Sequence, residues 1–259
     1  REPLRRAGAD VRMIGAVGRD PFADLALANL RAAGVDLNGV RALDGTTGLA
    51  FIGVEPSGEN QIMVASGTNK RVSASWLKDA LHPGEILMMQ GEVPGPEVTI
   101  AIEAAHSAGA RIFLNPAPIP DKAYAGLARE VDVLVVNEGE AEAIGAYLEL
   151  PGDPAGFVKA LVTTDRLVAV TLGSDGVVAG RGTELFHIRP PKVEVRDTTG
   201  AGDAFCGALA AALDRETPLE RALCEAIAAG SLACGATGAQ SSAPEAREIA
   251  ALADTLRAQ

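Results

Sequence analysis

Short apolar runs and amphipathic stretches take turns along most of this chain, which predicts strands and helices in alternation. Val11–Val17 is an apolar run closed by Gly18, the pattern of a buried strand. Asp20-Pro21 then offers an N-cap and a first helical residue. The helix Phe22–Ala33 follows, with Phe22, Leu25, Ala26 and Leu30 expected to face inward, and it stops at Gly34. Val35–Leu43, Thr47–Val54 and Gln61–Ala65 read as successive strands, the last two joined by a hairpin turn at Glu55-Pro56-Ser57-Gly58-Glu59-Asn60. Consecutive strands, in a chain that otherwise alternates, imply a small β flap outside the main sheet.

From Gly84 the alternation is regular. Strands are expected at Ile86–Met89, Arg111–Leu114, Val131–Val136 and Leu167–Leu172, and helices at Glu97–Ser107, Asp121–Glu130, Glu138–Leu148 and Pro154–Val162. Helical crossovers of this length imply a parallel sheet, and ligands bind beyond the carboxyl ends of such strands. Val177–Arg181 and Glu184–Ile188 read as a meander at the sheet edge, followed by helices after Gly202, at Leu219–Ala233 and at Ala243–Leu256. At the other end, Leu4-Arg5-Arg6-Ala7-Gly8 has the form of a last helical turn closed by glycine. Too few residues precede it for a stable helix, so the chain is expected to begin partway through an element.

Composition narrows the function. A net charge of −11 argues against nucleic-acid or anionic-membrane partners, and aromatics at 3% give no stacking platform for bases. Cys206, Cys224 and Cys234 are odd in number and lack C-x-x-C spacing, which fits reduced, buried thiols in a cytoplasmic protein. His82, His106 and His187 are isolated and form no metal motif. No apolar run reaches the length of a membrane span, and no secretory signal pattern is present.

Asp197-Thr198-Thr199-Gly200-Ala201-Gly202-Asp203-Ala204-Phe205 carries the strongest chemistry. A Gly-Ala-Gly turn opens an apolar helix, whose first amides lack intrahelical partners and whose dipole favours an anion. Asp203 stands beside those amides, and an anion cradle with an adjacent base is what phosphoryl transfer to a hydroxyl requires. The same residues also read as a plain strand-to-helix turn. A dinucleotide fingerprint does not fit, because Phe205 stands where a third glycine is needed and helices follow; there is also no Walker A sequence.

Asn137 and Glu140 sit where a strand passes into a helix; Glu140 can hold a hydrated Mg²⁺, or the two can form an ordinary capping box. Thr171-Leu172-Gly173-Ser174-Asp175-Gly176 can wrap a nucleotide through Thr171, Gly173, Ser174 and Gly176, or simply end a strand. Glu92, after another strand, can accept a bond from a substrate hydroxyl. Gly238-Ala239-Gln240-Ser241-Ser242 is a turn of small residues with carbonyls to offer a cation.

Taken in order, these pieces resemble the PfkB-type carbohydrate kinase family, in its ribokinase-like branch. The match runs through Gly15–Phe22, Thr47–Ala50, Gly58–Asn60, Met89–Glu92, Asn115–Pro118, Asn137–Glu140, Thr171–Gly173, Asp197–Phe205 and Gly238–Ser242, nearly the whole chain. The resemblance implies an α/β fold: a ribokinase-like three-layer sandwich with a mainly parallel central sheet flanked by helices, plus a small β lid. It implies ATP-dependent phosphorylation of a sugar hydroxyl, ribose to ribose 5-phosphate foremost, with other sugars or nucleosides as the alternative acceptors. Asp203 becomes the base, and the amides of Gly200, Ala201 and Gly202 the anion hole. Asn137 and Glu140 organise Mg²⁺ and phosphate, Thr171 and Gly173 lie along the ATP, and Glu92 contacts the sugar. A monovalent cation, K⁺, would be held by Asp197, Thr199, Ala233, Ala236, Gly238 and Ser242. The family's first strand, a sugar-binding Asp and a Gly-Gly-Lys segment precede the position matching Leu4. The chain is therefore expected to be one kinase domain over 1–259, N-terminally truncated, with a residual lid hairpin at about 44–66 and a homodimer formed through that lid. A truncated, non-catalytic nucleotide-binding protein is the reading from another class.

Overall fold

The computed structural model describes residues 2–54, 60–118, 122–238 and 242–257. A short helix, α1 (Glu2–Arg6), leads to strand β1 (Arg12–Gly18), helix α2 (Pro21–Ala32) and strand β2 (Asp36–Leu43). Strands β3 (Leu49–Val54) and β4 (Asn60–Ala65) follow, then two 3-10 turns at Gly67–Arg71 and Ala74–Leu77. Next come β5 (Ile86–Gln90), α3 (Gly95–Ala108), β6 (Arg111–Asn115), α4 (Lys122–Leu127), β7 (Val133–Asn137), α5 (Glu138–Leu148), α6 (Pro154–Leu161) and β8 (Leu167–Thr171). Strands β9 (Val177–Arg181) and β10 (Glu184–Ile188) precede helices α7 (Ala201–Asp214), α8 (Leu219–Cys234) and α9 (Ala246–Ala253).

The main sheet has six strands in the order β10-β9-β8-β7-β6-β5. β5 to β8 are parallel, and β9 and β10 form the antiparallel meander at one edge. Side chains on a strand point alternately to opposite faces, so a strand covered on both sides reads as a continuous apolar run. Along β7, Val133 and Val135 enter one core while Leu134 and Val136 enter the other; along β8, Leu167 and Ala169 oppose Val168 and Val170. The first core is closed by α7, α8 and α9, the second by α3, α4, α5 and α6. The molecule is therefore the helix–sheet–helix sandwich expected.

Helix α7 has the most buried position. Every residue from Ala204 to Leu213 is buried, which suits a helix that is apolar all round. Leu209 is fully buried in the first core, and α8 and α1 pack against α7. The five residues of α1 are too few to be helical alone, but they lie on α7 where Gly207 leaves room: a Cβ there would stand 2.7 Å from that of Pro3. Tertiary packing thus supplies what length does not.

Other expectations need correction. Phe22 and Leu25 are exposed, at 46% and 70%, and only Leu30 of α2 is buried. The main contacts of α2 are with β1 and β2, a two-stranded sheet narrower than the helix's apolar stripe. β2 is no part of the flap: it pairs in parallel with β1, the two joined by α2 as a βαβ unit. The flap is the antiparallel β3–β4 hairpin alone, its expected turn at residues 55–59 lying outside the described residues. Among the described residues no helix is long and apolar enough to cross a membrane. The three cysteines are free, Cys206 and Cys224 being buried.

Candidate active site

Four parallel strands end in a polar residue on one edge of the main sheet: Gln90, Asn115, Asn137 and Thr171. Gln90 pairs in register with Asn115, and Asn137 with Thr171. Asn115 Nδ2 donates to the Val135 carbonyl at 2.9 Å and Thr171 Oγ1 to the Val136 carbonyl at 3.3 Å, so the side chains are tied along the sheet edge. Glu92 lies just past β5, exposed, its amide donating to Gln90 Oε1.

Over this edge stands the start of α7. Gly200 occupies the N-cap with φ +81°, a left-handed conformation that costs an L-residue about 1–2 kcal/mol. The helix begins at Ala201, two residues earlier than expected, so Ala201, Gly202 and Asp203 form its first turn. Ala204 N–H donates to the Gly200 carbonyl at 2.9 Å, closing that turn. The amides of Gly202 and Asp203 have no intrahelical acceptor. Gly202 is exposed, and nothing lies within 4 Å of a Cβ built on it. The Ala201 amide, expected to share in the anion hole, instead donates to the Thr198 carbonyl at 3.2 Å, because the chain folds back there to enter the helix. Asp203 is exposed at this positive helix end.

Glu140 reaches the same region from α5. Asn137 Oδ1 accepts from the Glu140 amide at 2.8 Å and Glu140 Oε2 from the Asn137 amide at 2.9 Å, a complete capping box. Glu140 is only 2% exposed, and burial pushes its carboxyl above the usual range, the Asn137 amide opposing. The buried thiol of Cys206, one turn into α7, is pushed upward by burial first and then by the charges of Asp203 and Glu140. Both carboxylates thus act on the same buried thiol at the start of α7.

A second cluster joins the approach to α7 with the end of α8. Arg196 and Asp197 amides donate to the Cys234 carbonyl at 2.8 and 3.3 Å. Asp197 Oδ1 accepts from the Thr199 amide at 2.9 Å, and Oδ2 from the Gly238 amide at 3.0 Å. The Thr199 hydroxyl, then the Gly238 and Thr199 amides, hold the Asp197 carboxyl below its ordinary value, so it is charged at neutral pH. Ser242 is 5% exposed, its amide donates to the Gly238 carbonyl at 3.2 Å, and its buried Oγ has no hydrogen-bond partner among the described residues. A charged carboxylate, an unpartnered buried hydroxyl and helix-end carbonyls near Ala233 and Ala236 form a donor set suited to a monovalent cation. Residues 239–241 of this turn lie outside the described residues. Among the described residues no group of three or more His, Cys, Asp or Glu could hold a metal ion, so any cation must draw on carbonyls, hydroxyls or substrate oxygens.

The loop after β8 is a 3-10 turn, Gly173–Asp175, closed by Leu172 N–H on the Gly176 carbonyl at 2.7 Å and Gly176 N–H on the Gly173 carbonyl at 3.2 Å. Gly173 and Ser174 are exposed. Gly176 is buried instead, and a Cβ on it would come 2.0 Å from the Ile188 carbonyl, so packing against β10 explains that glycine. A cavity of about 230 Å³ lies elsewhere, between β1 and β5, lined by apolar residues such as Ile14, Leu77, Leu87 and Met89. Of its charged lining, Arg12 pairs with Glu85, and Glu97 accepts from the Ala74 amide.

The family model described as pfkB family carbohydrate kinase matches residues 3–246. A ribokinase of Schizosaccharomyces pombe is 31% identical over 94% of this chain and 79% of its own length. The crystal structure of a Thermotoga maritima ribokinase superposes with a TM-score of 0.84 at 28% identity, covering 98% of this chain and 84% of that one. A ribokinase of Arabidopsis thaliana complexed with ribose and ATP gives 0.82 at 26% identity, over 97% and 86%.

Proposed function

Because this chain belongs to the pfkB family of carbohydrate kinases, we propose that it transfers the γ-phosphoryl group of ATP to a hydroxyl of ribose, giving ribose 5-phosphate and ADP. The observation that carries the reading is Asp203: an exposed carboxylate in the first turn of α7, beside amides with no intrahelical partner. In this reading Asp203 takes the proton of the sugar hydroxyl as its oxygen bonds to the γ-phosphorus. The bond from that phosphorus to the β–γ bridging oxygen breaks, and its electrons leave with ADP. The free amides of Gly200 and Gly202 face the charge that builds on the transferring group, and the Ala201 amide joins them if it turns from Thr198.

Asn137 and Glu140 would organise Mg²⁺ and phosphate, Mg²⁺ supplying charge neutralisation at the phosphates. Thr171, Gly173 and Ser174 would lie along ATP, and Glu92 along the sugar. Asp197, Thr199, Ala233, Ala236, Gly238 and Ser242 would hold K⁺, which the unpartnered Ser242 Oγ supports. That ion would steady the turn leading into α7. We place the protein in the cytoplasm, in keeping with its free thiols, and assign a homodimer contact to the β3–β4 hairpin, whose Phe51, Met63 and Val64 are exposed. Replacement Asp203→Asn should lower kcat by roughly 10²–10⁴-fold, the span of a positioned base, while ATP affinity by calorimetry is retained. Turnover within a few-fold of the parent would remove Asp203 from the mechanism.

A further inference from the structure

Among the described residues the β3–β4 hairpin pairs only with itself, and Phe51 faces Met63 across its register with both exposed, at 56% and 66%. Its root is the opposite. Thr47, two residues before β3, is 5% exposed and held at three points. Its amide donates to Asp20 Oδ2 at 2.7 Å, its hydroxyl donates to Asp20 Oδ1 at 2.7 Å, and the same hydroxyl accepts from the Gly18 amide at 3.0 Å. Asp20 is itself fixed as the cap of α2, accepting from the Ala23 amide at 3.2 Å. The returning leg is tied to the first, the Thr68 amide donating to the Thr46 carbonyl at 2.9 Å. Backbones meet here too closely for any side chain: a Cβ on Gly18 would stand 2.4 Å from the Gly45 carbonyl oxygen, and one on Gly67 would stand 2.4 Å from that of Thr46.

The root also lies on the active edge. Arg12 pairs with Glu85 at 2.6 and 2.8 Å, joining the amino ends of β1 and β5, and farther along Ile14 packs on the same Ala74, Leu77 and Ala101 cluster as Leu87 and Met89. β1 therefore runs with β5, and its carboxyl end at Gly18 shares the edge where Gln90, Asn115, Asn137 and Thr171 stand. A hairpin that pairs only with itself, on a root tied by the Asp20–Thr47 and Thr46–Thr68 hydrogen bonds, is a lever whose stance is set at the root.

We infer that Asp20 and Thr47 are positioning residues: their clasp fixes the stance of the hairpin over the sugar end of the site and so governs sugar capture. The inference rests on the kinase reading. Thr47→Val keeps the side-chain volume but loses both hydroxyl bonds, whereas Thr47→Ser keeps them. In Thr47→Val, amide hydrogen exchange across residues 49–54 and 60–65 should quicken about tenfold, the effect of losing a charge-assisted bond, while β6–β8 keep parental protection. The sugar KM should rise about tenfold with kcat and the ATP KM within twofold, and Thr47→Ser should restore both exchange and KM. Parental exchange in the hairpin of Thr47→Val overturns the inference. So does an equal rise of both KM values, or a loss of protection across the whole sheet. If the parent phosphorylates no sugar, the kinase reading fails and the exchange measurement alone decides the clasp.

Discussion

Glu140 shows what a carboxylate buried at a helix cap costs in stability. Its neighbours are a capping amide and apolar surroundings, and burial raises its carboxyl above the ordinary 4.5. A carboxyl with a raised folded-state pKa binds its proton more tightly in the folded than in the unfolded chain, so stability falls as pH rises from 4.5 through the raised value. Above that window the full cost of a buried charge is present. Glu140→Gln keeps an oxygen for the Asn137 amide and removes the charge. Without Mg²⁺, the variant should match the parent in melting temperature below pH 4.5 and exceed it at pH 7, with the gap opening between. Thermal melts across that range check it, and a parent more stable than the variant at pH 7 would contradict it. In the kinase assay the same variant should need more Mg²⁺.

At the scale of elements, strands β6–β8 were legible because both faces are buried and each reads as an unbroken apolar run. The ends of β6 and β7 were legible for the same reason, since Asn115 and Asn137 break those runs, whereas β8 stops at Thr171, one residue short of the expected Leu172. The pairing of β2 with β1 was not, because two adjacent apolar runs carry no mark of which strand each will join. Local sequence also could not show that Asp20 and Thr47, 27 residues apart, would clasp, although Asp20 was legible as a helix cap. That Glu140 and Asp203 both act on Cys206 is likewise a product of the tertiary fold, which brings the start of α5 near the start of α7. Gly176 was open to a nucleotide-binding reading and proved to be a packing glycine. α7 is the element that holds the sandwich's first core together, so Leu209→Ala, at a fully buried position, should cost about 2–5 kcal/mol. Urea unfolding checks this. A loss under 1 kcal/mol would mean that α7 is less central than its burial implies.

The whole molecule combines a net charge of −11 with a substrate that is itself an anion. Long-range attraction therefore does not deliver ATP, which must be held by local groups instead. The architecture concentrates those groups at one edge of one sheet: strand ends below, the start of α7 above, and the hairpin root at the side. The most direct test is phosphorus NMR of the purified protein incubated with ATP, Mg²⁺, K⁺ and ribose. A phosphomonoester signal of ribose 5-phosphate growing one-for-one with ADP, and abolished in Asp203→Asn, is the predicted result. ATP that stays intact beside ribose and every other sugar tried, or ATP that is hydrolysed with no sugar phosphate formed, would contradict the account.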